Sequence, residues 1–415
     1  MTFGDNTGMQ RGFPTLPPGL TWQQASAYGY PIALDSGGNA TLIGDGPVVF
    51  ATPPPLPPGT YYTDVRSGPY NSLALRSDGE LLAWGNNSLG TCNVPPLPPG
   101  VTYVQACSDT ATLAVRSDGA LVGCGLNTNG QINIPALPPG VTYLQAAAAT
   151  AHATALRSDG SAIAWGQNTY GQCNLPPLPP GVKYVEVAAA GLYTLGRRTD
   201  GQVVGAGLLA FTPPAPPSPP PGVHYVALAA GIAFAGARLS DGSIKIWGDT
   251  RTVDESMFAG ESWRELSIGG ARAIAVSGPT STYVRSGLGC GGSAGTSELV
   301  PLDTPRLGCR QRVTLTNLPA NAALLATGFS TTVSALGPLP LDLGPFGMPG
   351  CSLRIAPDLV TLVVGSDGYA TVSAMLSTAP ALLGMTYHQQ ALVLDPGANP
   401  AGAVLSHAAS AVIGQ

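Results

Sequence analysis

A glycine-flanked serine is the first side chain in the sequence with the setting of a nucleophile. Ser293 lies in Gly291-Gly292-Ser293-Ala294-Gly295, which fits the Gly-x-Ser-x-Gly pattern. That motif needs a strand before the serine and a helix after it, whereas this stretch is glycine-rich on both sides. No histidine stands in a recognisable base-and-orienter arrangement; the four are His152, His224, His388 and His407. The sequence therefore predicts a linker here, and a protein that is not an enzyme.

The seven cysteines do not have the spacing of a metal site. There is no Cys-x-x-Cys pair and no matched Cys/His spacing, so we expect neither a metal nor another cofactor. Cys290, Cys309 and Cys351 each lie beside a glycine in the C-terminal part of the chain. One pair among these three could form a disulfide, and the favoured pair is Cys290 with Cys351.

A unit of about 40 residues repeats through the first two thirds of the chain. Its marker is the glycine of a Pro-Pro-Gly turn, which recurs at intervals of 40 or 41 residues and opens a degraded seventh copy at Gly260. Three residues after each of these glycines stands an aromatic residue: Trp22, Tyr62, Tyr103, Tyr143, Tyr184, Tyr225 and Trp263. Because these aromatics recur in every copy, we expect them to pack between neighbouring units.

Each unit is typical of a three-stranded antiparallel sheet. Two short β-rich runs are followed by a Ser-Asp-Gly turn and a third run, and the Pro-rich segment then carries the chain to the next sheet. Sheets of this kind bury both faces by stacking around an axis, which makes them blades of a propeller. The fold prediction is all-β: a seven-bladed β-propeller over residues 1–287, a Gly-rich linker over 288–297 and a small β-sandwich over 298–415.

The N-terminal segment is expected to close the ring. Residues 3–14 resemble residues 84–95 of a later repeat, so the chain begins part-way through a unit. This segment would then join the last blade and hold it to the first. Residues 281–286 are an alternative third strand of that blade, in which case the N-terminal segment would be an added outer strand.

A variable column of residues points to a binding surface. At the predicted loop between the first and second strands, the repeats place Tyr30, Asn71, Ala111, His152, Tyr193, Phe234 and Arg272 at equivalent positions, with Tyr28 and Tyr70 beside them. Protein-binding hot spots favour Tyr, Trp and Arg. We therefore predict binding through Tyr28, Tyr30, Tyr70, Asn71, His152, Tyr193, Phe234 and Arg272. The alternative is that these side chains only pack the loops or line a narrow channel.

The repeats resemble those of the regulator of chromosome condensation family. The resemblance rests on the segments SLALRSDGELLAWGNNSLG and WGQNTYGQ, and it covers about residues 1–287. The period of about 40 residues and the Pro after the WGxNxxGQ motif bring the chain nearest to a bacterial branch that includes β-lactamase inhibitory protein II. The resemblance implies a seven-bladed propeller that presents one face to a protein partner, without implying the same partner.

The C-terminal part has a different pattern. Apolar runs alternate with Gly/Pro turns, and the segment VVGSDGYATV has the form of a hairpin. The segments GCGGSAG, LPLDLGPFGMPGC and LDPGANPAG resemble a C-terminal module found on secreted or surface proteins of environmental bacteria. This resemblance implies an extracellular or cell-surface location, with the module acting in attachment or presentation.

Charge and hydropathy limit the possible partners. The chain has 18 Lys+Arg against 23 Asp+Glu and a formal net charge of -5, so no nucleic-acid partner is expected. No apolar run is long enough to span a membrane. We predict a non-catalytic binding propeller that recognises a protein through one loop face. The alternative is a carbohydrate-binding lectin, or a hydrolase or lyase, that uses the axial pocket.

Overall fold

The computed structural model describes residues 2–4, 13–29, 31–43, 52–209, 216–251, 253, 255–259, 263–270, 272–277, 281–306 and 309–414. Within them the regular structure is β, which confirms the all-β prediction. The helical elements of these residues are three 3-10 turns, at Glu255–Phe258, Gly344–Phe346 and Pro380–Leu382. In this part of the chain no helix is long and apolar enough to cross a membrane.

The repeat region forms three-stranded antiparallel sheets, one per repeat. The strands of the first three sheets are β2 (Trp22–Ser26), β3 (Ile32–Asp35), β4 (Ala40–Leu42), β5 (Tyr62–Ser67), β6 (Asn71–Arg76), β7 (Leu81–Gly85), β8 (Tyr103–Ser108), β9 (Ala111–Arg116) and β10 (Leu121–Gly125). Those of the next three are β11 (Tyr143–Ala148), β12 (His152–Arg157), β13 (Ala162–Gly166), β14 (Tyr184–Ala190), β15 (Leu192–Arg198), β16 (Val203–Leu208), β17 (Tyr225–Ala230), β18 (Phe234–Leu239) and β19 (Ile244–Gly248).

The seventh sheet closes the ring. It consists of β20 (Trp263–Gly269), β21 (Arg272–Ser277) and the N-terminal strand β1 (Thr2–Gly4), which pairs with β21 in the register Thr2 to Ile274. The first strand of each blade contacts that of the next, and β20 contacts β2. The clasp by the N-terminal segment is therefore confirmed for residues 2–4, while residues 5–12 lie outside the described residues.

The repeated aromatics pack between blades, as predicted. The six from Tyr62 to Trp263 are at most 5% exposed, and Trp22 is half-buried. Tyr143, for example, lies in one apolar cluster with Leu113 and Val115 of the preceding blade. Its hydroxyl donates to the Pro135 carbonyl at 2.5 Å, so the side chain also anchors the Pro-rich segment that enters its blade. In the five blades with a tyrosine at this position, its side chain joins neighbouring sheets and fixes the crossover between them.

The tight turns between second and third strands depend on the Asp-Gly pair. Gly79 adopts a φ of +88°, and its N–H donates to the Arg76 carbonyl at 2.8 Å. Both carboxylate oxygens of Asp78 accept hydrogen bonds from Nε of Arg76, and one of them also accepts from Nη2, which stabilises the turn. The glycine supplies the left-handed conformation that closes the hairpin.

The C-terminal module has two main antiparallel sheets around a common core. The larger sheet has the strand order β22-β34-β32-β25-β30, with β33 paired to β32, and the smaller has the order β23-β24-β31. Two short pairs complete the module, β26 with β27 and β28 with β29. The strands are β22 (Thr282–Gly287), β23 (Leu299–Pro301), β24 (Arg310–Leu315), β25 (Ala322–Gly328), β26 (Val333–Ser334), β27 (Gly337–Pro338), β28 (Leu341–Asp342), β29 (Ser352–Leu353), β30 (Leu359–Val364), β31 (Ala370–Met375), β32 (Thr386–Leu394), β33 (Ala403–Leu405) and β34 (Ala408–Val412).

The predicted boundary at residue 287 is wrong by one strand. β22 pairs with β34 in the C-terminal sheet, and Tyr283 is buried in the core of the module. Residues 281–286 are therefore not the third strand of the last blade. A short run such as Thr-Tyr-Val-Arg suits either sheet, and the pairing with the last strand of the chain decides between them.

The predicted linker over residues 288–297 is also wrong, because this segment is folded onto the module. Cys290 and Cys351 form a disulfide, as predicted, across 61 residues of sequence. The Ser293 hydroxyl donates to Asp395 at 2.8 Å, and the Ser293 N–H donates to the same carboxylate at 2.6 Å. Ser293 is thus part of a carboxylate-bound turn and has no strand-turn-helix setting around it.

Candidate functional site

The C-terminal module contacts one end of the propeller. The Tyr283 N–H donates to the Ser240 carbonyl at 2.8 Å, and the Arg285 N–H donates to the Gly222 carbonyl at 3.3 Å. Ser240 precedes an Asp-Gly turn and Gly222 ends a Pro-Pro-Gly turn, so the module contacts the end that carries these turns. We call it the capped face. The opposite end carries the loops between first and second strands, such as residues 68–70, 109–110, 149–151 and 231–233, and we call it the open face.

The predicted contact column does not form a surface. Asn71, His152, Tyr193 and Phe234 are each at most 2% exposed. The expectation that these four side chains present a contact surface is therefore wrong. Each of them is the first or second residue of the second strand of its blade, and its side chain points toward the neighbouring blade.

Polar members of this column bond to the next blade. The Ser108 hydroxyl donates to Oδ1 of Asn71 at 2.7 Å. Nε2 of His152 lies 3.0 Å from the Thr194 hydroxyl. Burial lowers the pKa of His152 to about 4, so its imidazole is neutral near pH 7. Both pairs are buried contacts between adjacent blades.

The aromatic members have the same role. The Tyr193 hydroxyl donates to the Gly231 carbonyl at 2.9 Å and accepts from the Gly231 N–H at 3.2 Å. Phe234 lies in the apolar cluster that joins the sixth and seventh blades. The column therefore packs the blades together, which is the alternative that the sequence left open.

Three predicted residues do lie at the open face. Tyr70 is 40% exposed, and Tyr28 and Arg272 are half-buried. A guanidinium nitrogen of Arg272 donates to the Gly29 carbonyl at 3.4 Å, which brings Arg272 beside Tyr28 at the junction of the seventh and first blades. Tyr30 lies outside the described residues. For Tyr28, Tyr70 and Arg272, a role in binding stays a prediction.

Asp109 is a member of this site that the sequence reading missed. It is 3% exposed and hydrogen-bonds the Tyr28 hydroxyl. Burial raises the pKa of Asp109 to about 6, and burial together with the Asp109 charge raises the pKa of Tyr28. Tyr28 and Asp109 both stand six residues after the aromatic of their repeat. An overlay at that position would have found the pair.

Two further apolar side chains are exposed at the open face. Tyr170 is 48% exposed in the loop that follows the third strand of its blade, and Ile232 is 49% exposed in the loop after β17. The Gln167 N–H donates to the Ala151 carbonyl at 2.9 Å, which places the Tyr170 loop at this end of the ring. The open face therefore presents tyrosines on more than one blade.

A cavity of about 290 Å³ opens at the mouth of the axis near Tyr28. One wall is polar, with Ser67, Ser108 and Asp109, and the opposite wall consists largely of alanines from the fourth to sixth blades. The carboxylates among the lining residues are Asp109 and the deeper Glu186.

Deeper in the axis, a ring of polar side chains joins the blades. In four of the blades, the residue two positions after the repeated aromatic accepts a hydrogen bond from a backbone N–H of the next blade. Gln105 accepts from Ala146 at 2.9 Å, and Glu186 accepts from Leu228 at 2.9 Å. Gln24 and Gln145 do the same toward their own neighbours. These bonds satisfy backbone N–H groups beside the bulge that follows the aromatic of the next blade.

Asp109 leads to a prediction on pH dependence. The pKa of Asp109 in the folded state, about 6, exceeds the ordinary aspartate value of 3.8, so between these two pH values the folded state holds a proton that the unfolded state releases. The free energy of unfolding should therefore fall as pH rises from about 4 to 6. Asp109→Asn should remove this pH dependence. The free energy of unfolding of the variant, taken relative to that of the parent, should therefore be higher at pH 8 than at pH 4 by up to about 3 kcal/mol. Urea unfolding at the two pH values measures this, and parallel pH profiles for the two proteins would contradict it.

Within the described residues, no group of three or more His, Cys, Asp or Glu side chains could hold a metal ion. Cys92 and Cys173, at equivalent repeat positions, are free thiols. The chemistry that these residues offer at the open face is hydrogen bonding and aromatic contact.

Comparison with known proteins agrees with this architecture. The family model of the regulator of chromosome condensation (RCC1) repeat matches residues 62–91 and 150–172. A comparison with curated proteins gave no significant match.

Solved structures share the propeller fold. Human WBSCR16 is 16% identical with a TM-score of 0.51, over 63% of this chain and 88% of that one. Prp20p from Saccharomyces cerevisiae, described with its binding properties to Gsp1p and histones, is 17% identical with a TM-score of 0.51, over 62% of this chain and 82% of that one. Yeast RCC1 (Prp20) in a structure with Kap60 is 18% identical with a TM-score of 0.51, over 62% and 80%. The repeat region of this chain thus has the propeller fold of these structures, and two of its segments match the RCC1 repeat.

Proposed function

We propose that the chain is a non-catalytic binding protein whose propeller recognises a protein partner through the open face. The observation that carries this proposal is the position of the module. It contacts the capped face, and among the described residues Tyr28, Tyr70 and Tyr170 keep exposed surface at the opposite end of the ring. The structural neighbour Prp20p, described as binding Gsp1p and histones, supports a binding role for a propeller of this type.

The composition of the open face fits protein recognition. Tyrosine and arginine are enriched at binding hot spots, and Tyr70, Tyr170 and Arg272 supply them around the rim. Tyr28 is held in place by its hydrogen bond to Asp109, so part of the contact surface is already ordered before a partner arrives. A rigid aromatic rim loses little side-chain entropy on binding.

The rival function, carbohydrate binding or hydrolysis in the axial pocket, has less support. Hydrolysis by paired carboxylates needs two acids that flank one bond. At the open mouth the lining carboxylates are Asp109 at the rim and Glu186 deeper in the axis, where Glu186 is paired with Arg197 at 2.8 Å. A carboxylate held in an ion pair and in a backbone hydrogen bond is a poor general acid.

We further propose an extracellular or cell-surface location, with the module in attachment or presentation. The Cys290–Cys351 disulfide supports an oxidising compartment. The edge strand β30 also supports contact of the module with another surface, because Leu359, Leu362 and Val364 on it are each more than 60% exposed. We also propose that the propeller is related to the bacterial branch that includes β-lactamase inhibitory protein II. The module would be related to those on secreted or surface proteins of environmental bacteria.

Affinity capture with matched variants tests the binding face. The full chain is immobilised, exposed to a protein extract from its native source, and compared with a Tyr28→Ala/Tyr70→Ala variant. Loss of an aromatic hot spot costs about 2 kcal/mol or more, so the variant should retain a specific partner at least about tenfold more weakly.

Tyr61→Ala is the matched control, because Tyr61 is 53% exposed beside a Pro-Pro-Gly turn at the other end of the ring. It should retain the partner as the parent does. Equal retention by the open-face variant and the parent would contradict the proposal. Binding of an oligosaccharide that Asp109→Asn abolishes would favour the rival function.

A further inference from the structure

A second cavity, of about 550 Å³, lies where the module meets the axis of the propeller. Its wall comes from both parts of the chain, with Arg238, Arg264 and Glu265 from the propeller and Asp303 and Arg306 from the module. It shares Arg66 and Glu186 with the wall of the open-face cavity, so the two adjoin along the axis. We call it the arginine cavity.

The charges of this wall are unbalanced. Three of its carboxylates are committed to ion pairs: Asp64 with Arg66 at 3.1 Å, Glu186 with Arg197 at 2.8 Å, and Asp303 with Arg312 at 2.7 Å. Among the described residues, the wall arginines without an ion pair within 4.0 Å are Arg238, Arg264, Arg306 and Arg310. Glu265 is therefore the one wall carboxylate without an ion pair among the described residues, and the wall has four guanidinium groups without an ion pair.

Three of these arginines meet at the seam between propeller and module. Arg306 of the module donates to the Arg264 carbonyl at 2.5 Å. Arg238, only 5% exposed, donates to the Thr304 hydroxyl at 3.3 Å. Nε of Arg264 is buried and has no hydrogen-bond partner among the described residues. These guanidinium groups keep donors that the protein itself does not use.

The electrostatics agree with this geometry. Burial and the neighbouring charge of Arg306 lower the pKa of Arg238, to about 9. Burial raises the pKa of Glu265 to about 7, so this carboxylate is only partly ionised near neutral pH. An anion among the arginines would relieve their mutual repulsion and use their free N–H groups.

We propose that the arginine cavity binds a small oxyanion, a phosphate or carboxylate group, through the guanidinium groups of Arg238, Arg264 and Arg306. Guanidinium forks match the geometry of both groups and act strongly in a site shielded from bulk water. Because Arg306 comes from the module and the other two from the propeller, the anion also links the two parts of the chain. Bound ligand should therefore stabilise the docked arrangement.

Titration calorimetry of the full chain in low-chloride buffer tests the proposal, with inorganic phosphate and citrate as separate probes. We expect one saturable site for at least one probe, and the preferred probe tells phosphate from carboxylate chemistry. Arg306→Gln should weaken binding at least about tenfold, which corresponds to the loss of a charged hydrogen bond.

Glu265→Gln removes the remaining wall carboxylate and should strengthen binding severalfold, a result that misfolding would not produce. Arg251→Gln is the control, because Arg251 is 87% exposed and paired with Asp249 outside the cavity. It should leave binding unchanged. If neither phosphate nor citrate binds, the proposal is overturned. Equal affinities for the parent and Arg306→Gln, or weaker binding by Glu265→Gln, would overturn it as well.

Discussion

A chain that begins at Phe13 should melt roughly 10 °C below the parent, because it lacks the strand that closes the ring. β1 pairs with β21 over three residues, and without it the last blade keeps two strands and an open edge. The lost ladder bonds and the weakened contact between the seventh and first blades should together cost about 3 to 4 kcal/mol. For a domain of this size each kcal/mol shifts the melting temperature by about 2–4 °C.

A synthetic peptide of residues 1–12, added in trans, should restore part of the melting temperature if β1 acts as a strand of the blade. Phe13 is retained in the truncated chain because its ring lies 5.3 Å from that of Trp22 in the first blade. An unchanged melting temperature in the truncated chain would show that the seventh blade is complete without β1.

Loss of the Cys290–Cys351 disulfide has the second large expected effect. The bridge closes a loop of 61 residues, and loop-closure entropy for that length corresponds to roughly 4 kcal/mol. A Cys290→Ala/Cys351→Ala variant should lose about that much free energy of unfolding in the C-terminal module, as measured by urea unfolding. Both cysteines are buried, so alanine avoids the cost of placing a hydroxyl in the core.

Cys309→Ala serves as the control for the disulfide, since Cys309 is an exposed free thiol. It should unfold at the same urea concentration as the parent. Equal stability of the double variant and the parent, under oxidising conditions, would show that the bridge contributes little to the module.

The sequence predicted the blades well because their determinants are local and repeated. The aromatic after Pro-Pro-Gly, the Asp-Gly turn and the proline-rich crossover recur in fixed register, and each one has a direct structural counterpart. Tyr143 is buried between blades, and Gly79 turns with positive φ as expected. The resemblance of residues 3–14 to a third strand also identified the clasp.

The predicted contact surface was misplaced by one residue along each repeat. The loops between first and second strands are so short that Asn71 already belongs to β6, whereas its neighbour Tyr70 lies in the loop. Successive residues at a strand end point to opposite sides, so Tyr70 is exposed and Asn71 is buried. The residues of the column vary because different side chains fill the buried space between different pairs of blades. A variable position in the sequence can be a surface position or a packing position, and only the exposure of the side chain separates the two.

Other parts of the site depend on contacts between distant segments. β22 joins the C-terminal sheet because β34, about 120 residues further along, offers it an edge. The arginine cavity gathers Arg238 and Arg264 from two blades and Arg306 from the module. The local sequence pattern does not indicate contacts between segments that are far apart in the chain. The capped face could therefore not be predicted from the sequence.

Photo-crosslinking from the two ends of the ring tests the central claim most directly. A benzoylphenylalanine at position 70 reports on the open face, and one at position 61 reports on the opposite end; the tyrosines there are 40% and 53% exposed. After capture of a partner from a native extract, a crosslink from position 70 and none from position 61 is the result that we predict. A crosslink from position 61 alone would show that the partner binds at the end beside the module, and would contradict the assignment of the binding face.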